Sequence, residues 1–152
     1  MQRVRWLKRL VLLGGVVTLI GAGEAPPQAR GPTVGLAGKL VVTRAGTYSD
    51  ITVRALDHAL VEQPKPFTLV NVHIPYEGEI QATDAFIPFD VIAKRLQVLP
   101  SAKDAPIVLY CMSGRMSEIA ATTLVRLGYT NVKNLRGGMI AWQQAGLPLM
   151  AR

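Results

Sequence analysis

The amino-acid sequence predicts an α/β protein built on a parallel sheet with helices on both faces. Short apolar runs bounded by proline or glycine alternate along the chain with segments whose apolar residues recur at helical spacing. The runs show no alternation of apolar and polar residues, which indicates strands buried on both sides. Because a helical segment separates most of these runs, the pattern favours parallel strands joined by crossover helices.

The first half of the domain is predicted to contain two helices and two strands. A helix follows the N-cap candidates at 50–52 and ends before Pro64. Residues 67–72 read as a buried strand and residues 85–87 as a short apolar strand. Pro88 is well placed to open the second helix. The apolar residues that predict the two helices are Val53, Leu56, Leu60 and Val61 in the first, and Phe89, Ile92, Leu96 and Leu99 in the second.

The second half repeats the alternation more clearly. Residues 107–110 form a continuous apolar run and are predicted as a buried strand, and residues 132–135, Val-Lys-Asn-Leu, are predicted as another. A helix between them is predicted from Met116, Ala120, Leu124 and Leu127, with Gly128 just past its end. A last helix is predicted over residues 138–145, before Gly146 and Pro148.

Residues 1–23 have the layout of an export signal. Cations at positions 3, 5, 8 and 9 precede an apolar run from Leu10 to Ala22, and small residues follow it. The run is shorter than the about 20 apolar residues of a membrane-spanning helix and contains glycines. We expect a signal peptide, with an uncleaved membrane anchor as the alternative. Both predict export of the rest of the chain, to the periplasm or the exterior.

Residues 24–48 are rich in proline and glycine and are predicted to form a linker or arm, in which Leu40–Thr43 is a candidate short strand; residues 49–148 are left for the domain. The formal charge of +7 does not imply a nucleic-acid partner, because the four cations of the first nine residues account for more than half of it. With one cysteine and two histidines, the sequence predicts no metal site and no bound cofactor.

Cys111 is the candidate nucleophile, because it directly follows the predicted strand at 107–110. Ligand sites of parallel sheets lie at the carboxyl ends of the strands. Amides at a helix N-terminus carry partial positive charge, so a cysteine placed there is stabilised as the reactive thiolate. The alternative is an inert cysteine buried at the end of an apolar strand.

The residues after Cys111 favour an anion-binding loop. Gly114 lets the chain curl so that successive amides converge, and Arg115 adds a full positive charge. Ser113 and Ser117 supply hydroxyl groups, and Ser117 is the better candidate for the N-cap of the following helix.

Two blocks of sequence resemble the rhodanese-like domain family. Residues 111–117, Cys-Met-Ser-Gly-Arg-Met-Ser, are similar to the family's Cys-x-x-Gly-x-x-Ser loop after its fourth strand. Residues 128–142 are similar to the family's Gly-aromatic-x-x-Val-x-x-Leu-x-Gly-Gly-x-x-x-Trp tail. The resemblance covers roughly residues 50–147 and implies a rhodanese-like sheet for the domain predicted at 49–148.

The resemblance implies a thiosulfate-type sulfurtransferase. Cys111 would take a sulfane sulfur from a donor such as thiosulfate, hold it as a persulfide and pass it to a nucleophile. Since the sequence has no second cysteine, the acceptor would be an external thiol or another external nucleophile. The implied substrate-binding loop consists of Met112, Ser113, Gly114, Arg115, Met116 and Ser117.

Three departures from the family pattern leave the choice of donor open. Asn71-Val72-His73 stands where the family often has Asp-x-Arg, and residues 78–83 replace its Gly-His-Ile-Pro-Gly-Ala. In the loop itself, Met116 occupies a position at which many relatives carry arginine. A hydrogen-bonding role remains open to Asn71, and His73 is expected to be a local structural residue.

Two rival functions were weighed against sulfur transfer. A cysteine-dependent phosphatase needs an arginine at the sixth position after its cysteine, and Ser117 stands there. A non-catalytic rhodanese-like module for binding or redox sensing remains the alternative, since a fold does not by itself imply activity. Formation of a persulfide would distinguish the enzyme from the module.

Overall fold

A computed structural model describes residues 36–151, in which a single six-stranded sheet carries the domain. The strands are β1 (Lys39–Thr43), β2 (Gly46–Ile51), β3 (Thr68–Asn71), β4 (Ala85–Phe86), β5 (Ile107–Tyr110) and β6 (Val132–Leu135). Their spatial order is β1-β2-β6-β5-β3-β4, and all neighbours are parallel except β1 and β2. The central strand of the predicted site, β5, therefore lies between β6 and β3.

Helices cover both faces of the sheet, as the sequence predicts. They are α1 (Val53–Leu60), α2 (Arg115–Arg126) and α3 (Gly138–Gln144). Successive side chains of β5 point to opposite faces. Ile107 and Leu109 pack with α2, whereas Val108 and Tyr110 pack with α1 and α3. The predicted α/β fold class is thereby confirmed, with one antiparallel edge strand added to the parallel sheet.

Residues 39–43 and 46–48 of the predicted arm lie in the sheet, and the candidate strand at Leu40–Thr43 coincides with β1. β1 and β2 form a hairpin whose register runs from Lys39 opposite Asp50 to Thr43 opposite Gly46. The Thr43 hydroxyl donates to the Gly46 carbonyl at 2.8 Å and stabilises the turn. The physical reason for the difference is that pairing with β6 through β2 is a long-range contact, which glycine content alone does not reveal.

The helix predicted after Pro88 is wrong. Residues 88–99 instead form two short 3₁₀ turns, Ile92–Lys94 and Leu96–Val98. Amides in this segment bond to carbonyls three residues back, as in Lys94 to Val91 at 2.8 Å. Ile92 and Leu99 are nonetheless buried in the core beneath α2.

The predicted signal or anchor over residues 1–23, and the arm as far as residue 35, lie outside the described residues. Across residues 36–151 no helix combines the length and apolar character needed to cross a membrane. The same part of the chain contains no cluster of histidine, cysteine and acidic side chains that could hold a metal ion.

Candidate active site

Cys111 forms the floor of a cavity at the carboxyl edge of the sheet. It follows β5 directly and points to the face covered by α2, and only 1% of the residue is exposed. The cavity has a volume of about 300 Å³. Its walls come from the loop after β5, the first turns of α2, the end of β3 and the segment after β4. The lining residues are His73, Phe89, Cys111, Met112, Ser113, Arg115, Met116 and Ile119.

Two donors approach the sulfur of Cys111 from below the cavity. The Gly114 amide donates to Sγ at 3.1 Å, and the Ser117 hydroxyl lies 3.5 Å from Sγ. The same hydroxyl lies 2.9 Å from the Gly114 carbonyl oxygen, and it has one proton to give. A negatively charged sulfur attracts that proton more strongly than a neutral thiol does, so the hydroxyl can respond to the charge of the sulfur.

The start of α2 differs from the sequence prediction. Gly114, with φ of 100°, occupies the N-cap, and no side chain caps the helix. Ser117 is therefore not the N-cap, because the helix begins two residues earlier at Arg115. The left-handed backbone at Gly114 turns its amide toward the sulfur, which an L-residue with a side chain would adopt only at a cost of about 1–2 kcal/mol.

The N-terminus of α3 holds the backbone of the cysteine loop. The Met139 amide donates to the Cys111 carbonyl at 2.9 Å, and the Ile140 amide donates to the Met112 carbonyl at 3.0 Å. Both donors belong to the first turn of a helix, where amides have no partner within the helix. A Cβ atom on Gly138 would lie 2.2 Å from the Cys111 carbonyl oxygen. The two sequence blocks therefore meet in space, and Gly138 allows the close approach.

The neighbouring loop, after β3, is held by side chains as well as by a main-chain bridge between Glu79 and Met150. Asn71 is fully buried; its amide group donates to the Gly78 carbonyl at 3.0 Å, and its Oδ1 accepts from the His73 amide at 3.0 Å. Nε2 of His73 lies 2.7 Å from the Glu77 carboxylate. Asn71 thus supports its own loop, and no described hydrogen bond joins its side chain to the cysteine loop.

Tyr110 connects the C-terminal part of the loop after β3 to the sheet by hydrogen bonds. Its hydroxyl accepts from the Ile80 amide at 3.0 Å and lies 2.7 Å from the Thr83 hydroxyl. Burial raises the pKa of Tyr110 to about 12, although the hydrogen bond with Thr83 opposes the shift. Tyr110 and Cys111 are adjacent in the chain and lie on opposite faces of the sheet. Tyr110 stabilises the loop after β3, and Cys111 lines the cavity.

The structure brings the predicted site residues together around one point. Cys111, Met112, Ser113, Arg115 and Met116 line the cavity, while Gly114 and Ser117 contact the sulfur. Sequence reasoning did not place His73, Phe89 and Ile119 at the site. The position of Ile119, one helical turn after Met116, could have identified it. His73 lies two residues after the end of β3, the neighbour of β5, whereas Phe89 carries no such sequence signal.

This arrangement suits nucleophilic chemistry on an anionic donor. The sulfur lies at the positive end of a twelve-residue helix, and the exposed guanidinium of Arg115 belongs to the cavity wall. A nucleophile that attacks from the cavity floor leaves the space above it for the donor and its leaving group. The charges present favour a leaving group that departs as an anion.

Comparison with known proteins relates the chain to sulfurtransferases. The family model for the rhodanese-like domain matches residues 70–145, half of the chain. A sulfurtransferase from Allochromatium vinosum is 41% identical over 85 residues, which cover 55% of this chain and 78% of the relative. A thiosulfate sulfurtransferase from Actinobacillus succinogenes is 41% identical over 46 residues, which cover 30% of this chain and 41% of the relative.

The chain spans smaller parts of two further curated relatives, 58% and 22% of their lengths. Among solved structures, the rhodanese-like domain protein from Staphylococcus aureus has a TM-score of 0.56 and 30% sequence identity. That match covers 67% of this chain and 98% of the other.

Proposed function

Because this chain belongs to the rhodanese-like domain family, we propose that it transfers a sulfane sulfur through a persulfide on Cys111. The family and the sulfurtransferase relatives support sulfur transfer in general. The observation that carries the persulfide route is the Cys111 sulfur itself, which accepts the Gly114 amide at 3.1 Å on the floor of an open cavity. Backbone amides in this position stabilise a negatively charged sulfur before and after it receives the second sulfur atom.

In the first step, the Cys111 thiolate attacks the outer sulfur of thiosulfate. An S–S bond forms between the cysteine and the sulfane sulfur, and the bond from that sulfur to the sulfonate sulfur breaks. Sulfite leaves with the electron pair of the broken bond. The product is a cysteine persulfide whose terminal sulfur is negatively charged, so the charge remains near the start of α2.

In the second step, an external thiolate attacks the terminal sulfur of the persulfide. The new bond joins the acceptor to the sulfane sulfur, and Cys111 leaves as a thiolate, ready for another donor. Neither step requires a metal or an electron carrier, because each bond formed replaces a bond of the same kind. The acceptor is external since Cys111 is the single cysteine of the sequence.

Residues 112–117 provide the binding loop in this proposal. Arg115 neutralises part of the charge of the donor, and the first amides of α2 face the sulfur that is transferred. The Ser117 hydroxyl responds to the charge of the sulfur by rotating, so that it donates its hydrogen bond either to Sγ or to the Gly114 carbonyl.

The test is the intact mass of the protein after incubation with thiosulfate. We expect a gain of one sulfur atom that a thiol reductant removes, and no gain in Cys111→Ser. Serine preserves the size and hydrogen bonding of the site, so its circular dichroism spectrum and melting temperature should match those of the wild type. A Ser variant that still turns over thiosulfate would contradict the proposal. So would a wild-type thiol that reacts with an alkylating reagent but takes up no sulfur, which is the behaviour expected of a binding or sensing module.

A further inference from the structure

The sheet ends in two edge strands that differ in length and composition. At one edge, β4 consists of two residues, and Pro88 follows it closely. At the other edge, β1 has five residues, and its three central residues, Leu-Val-Val, include no charge and no proline. Short edge strands and edge prolines are common ways of preventing a further strand from pairing. Within residues 36–151 no strand lies beyond β1, so its outer side lacks both kinds of protection.

The register of the hairpin shows which main-chain groups of β1 face outward. A two-residue turn joins Thr43 to Gly46, so these two residues form a hydrogen-bonded pair. Hydrogen-bonded and non-hydrogen-bonded pairs alternate along antiparallel strands. The odd-numbered residues of β1 therefore bond to β2, whereas Leu40 and Val42 direct their N–H and C=O groups to the outer edge.

The side chains of the same two residues are apolar and exposed. Leu40 is 61% exposed and Val42 is 75% exposed. Val41, between them, packs against the core beneath α2, so Leu40 and Val42 lie on the other face of the sheet. A strand added at this edge would bond to the outward main-chain groups and cover part of the exposed aliphatic surface.

We propose that β1 pairs with β1 of a second copy of this chain, antiparallel and centred on Val41. In this register Leu40 of each copy lies opposite Val42 of the other. Both residues direct their main-chain groups outward, so each of these pairs exchanges two hydrogen bonds. The arrangement is a two-fold symmetric dimer in which one continuous sheet runs through both copies.

The charges at the ends of β1 fit a second copy in this orientation. Lys39 begins the strand, and Arg44 follows its last residue. In the antiparallel register Lys39 lies opposite Thr43 of the second copy, and Arg44 lies opposite Gly38, so no like charges face one another. An in-register parallel pair would instead place each cation beside the same cation of the second copy.

This pairing leaves the proposed active site accessible. No residue of β1 lines the cavity above Cys111. The cavity lies at the carboxyl edge of the parallel strands, and an antiparallel β1 pair directs these edges of the two copies to opposite ends of the joined sheet. Sulfur loading of Cys111 is therefore expected to be independent of the association.

Sedimentation velocity of the full chain over a range of concentrations measures the association. We expect a concentration-dependent equilibrium between monomer and dimer, because one strand pair makes a small interface. Val42→Pro removes an outward amide, and proline is compatible with an edge strand at such a position. It should lower the association constant at least about tenfold, because two-fold symmetry removes two hydrogen bonds from each dimer.

A matched pair of lysine variants provides the control. Val42→Lys places a cation in the proposed interface and should also lower the association constant at least about tenfold. Val61→Lys adds the same charge at a valine of similar exposure, 78%, at the end of α1, and should leave the constant unchanged. The lysine variants also keep the test valid if Val42→Pro disturbs the hairpin.

A disulfide tests the register. The two copies of Val41 form a non-hydrogen-bonded pair in the proposed dimer, with Cα atoms about 4.5 Å apart, which a disulfide can span. In a chain that also carries Cys111→Ser, Val41→Cys should give a covalent dimer on mild oxidation. Val61→Cys in the same background should not.

A wild-type chain that stays monomeric at every concentration would overturn this inference. So would association that persists equally in Val42→Pro and Val42→Lys, which would assign it to another part of the chain such as residues 1–35. A covalent dimer that forms no more readily with Val41→Cys than with Val61→Cys would also contradict it. Failure of the proposed function is a separate result, since it would appear as absent sulfur loading in wild type and Val42→Lys alike.

Discussion

Two loops leave neighbouring strands at the same edge of the sheet, and they are held in different ways. The loop after β5, residues 111–114, is held by main-chain hydrogen bonds from the first turn of α3. The loop after β3, residues 72–84, is held by the side chains of Asn71 and Tyr110 together with a main-chain bridge between Glu79 and Met150. Both loops reach the cavity, yet only the first carries the sulfur.

The difference follows from which hydrogen-bonding groups each loop must leave available. A loop that binds an anion uses its own amides as donors, so its carbonyl groups must be satisfied by donors from elsewhere. The N-terminus of α3 supplies those donors, and glycines at 114 and 138 allow main chain to approach main chain. The second loop forms a wall, and buried side chains join its main-chain bridge to Met150 in holding it. The approach of α3 tolerates no added atom at Gly138, whereas the side-chain contacts of the second loop can be removed one at a time.

The largest effect on the cysteine loop is expected from Gly138→Ala. Its Cβ would lie 2.2 Å from the Cys111 carbonyl oxygen, on a backbone with φ of 56°. We expect a loss of about 4 kcal/mol in the free energy of unfolding, from strain and steric overlap together, and a loss of sulfur loading. Denaturant titration and intact mass after thiosulfate treatment measure the two effects.

Gly128→Ala is the matched control for that substitution. Gly128 has φ of 89°, also left-handed, but no heavy atom lies within 4 Å of the position its Cβ would take. It should lose only about 1–2 kcal/mol, with unchanged loading. Equal losses in the two alanine variants would show that the approach of α3 to the cysteine loop has no special importance.

A smaller effect is expected where a side chain holds the second loop. Asn71→Ala leaves the His73 amide and the Gly78 carbonyl without their partner in a buried place, at a cost of about 2–3 kcal/mol. Loading of Cys111 by thiosulfate should remain within about threefold of the wild type, because the cysteine loop keeps its own support. Asn131→Ala, at an exposed hydrogen bond to Asp104, is the control and should cost much less. A collapse of sulfur loading in Asn71→Ala would mean that the two loops depend on one another.

The smallest effect is expected from Tyr110→Phe, which removes the hydroxyl from the Ile80 amide and should cost about 1–2 kcal/mol near pH 8. The pKa of Tyr110 is raised to about 12 in the folded protein, against about 10 in an unfolded chain. The unfolded state therefore releases its proton first as the pH rises, so the stabilisation is complete below pH of about 10 and is lost on the way to about 12.

Urea titrations of both proteins between pH 8 and pH 11 test this directly. The difference in free energy of unfolding between wild type and Tyr110→Phe should shrink as the pH rises. A difference that stays constant over this range would contradict the assigned burial of the hydroxyl.

The local sequence pattern was sufficient to predict most of the helices and strands. The strand β5 is an apolar run and β3 is mostly apolar or β-branched, and the amphipathic spacing of α2 follows from residues 116–127. Thr52 caps α1 as its position suggests, since its side chain accepts the Ala55 amide at 3.2 Å. These features depend on residues a few positions apart, so the sequence displays them directly.

Pattern failed where distant residues decide the structure. Part of the arm predicted at 24–48 belongs to the strand pair β1 and β2. The pair joins the sheet because β2 pairs with β6, more than eighty positions away in the chain. Residues 88–99 have the apolar spacing of a helix but are held as 3₁₀ turns. Phe89 and His73 reach the cavity only because β3, β4 and β5 are neighbours in the sheet.

The sequence by itself therefore determined the fold class, the cysteine loop and its place after a buried strand, since periodicity and residue type are local properties. The tertiary structure alone decided that α3 supports the cysteine loop, that Gly114 rather than Ser117 begins α2, and that apolar side chains from separate elements surround the sulfur. These features arise from contacts between residues far apart in the chain, which depend on how the sheet and its helices close around one core.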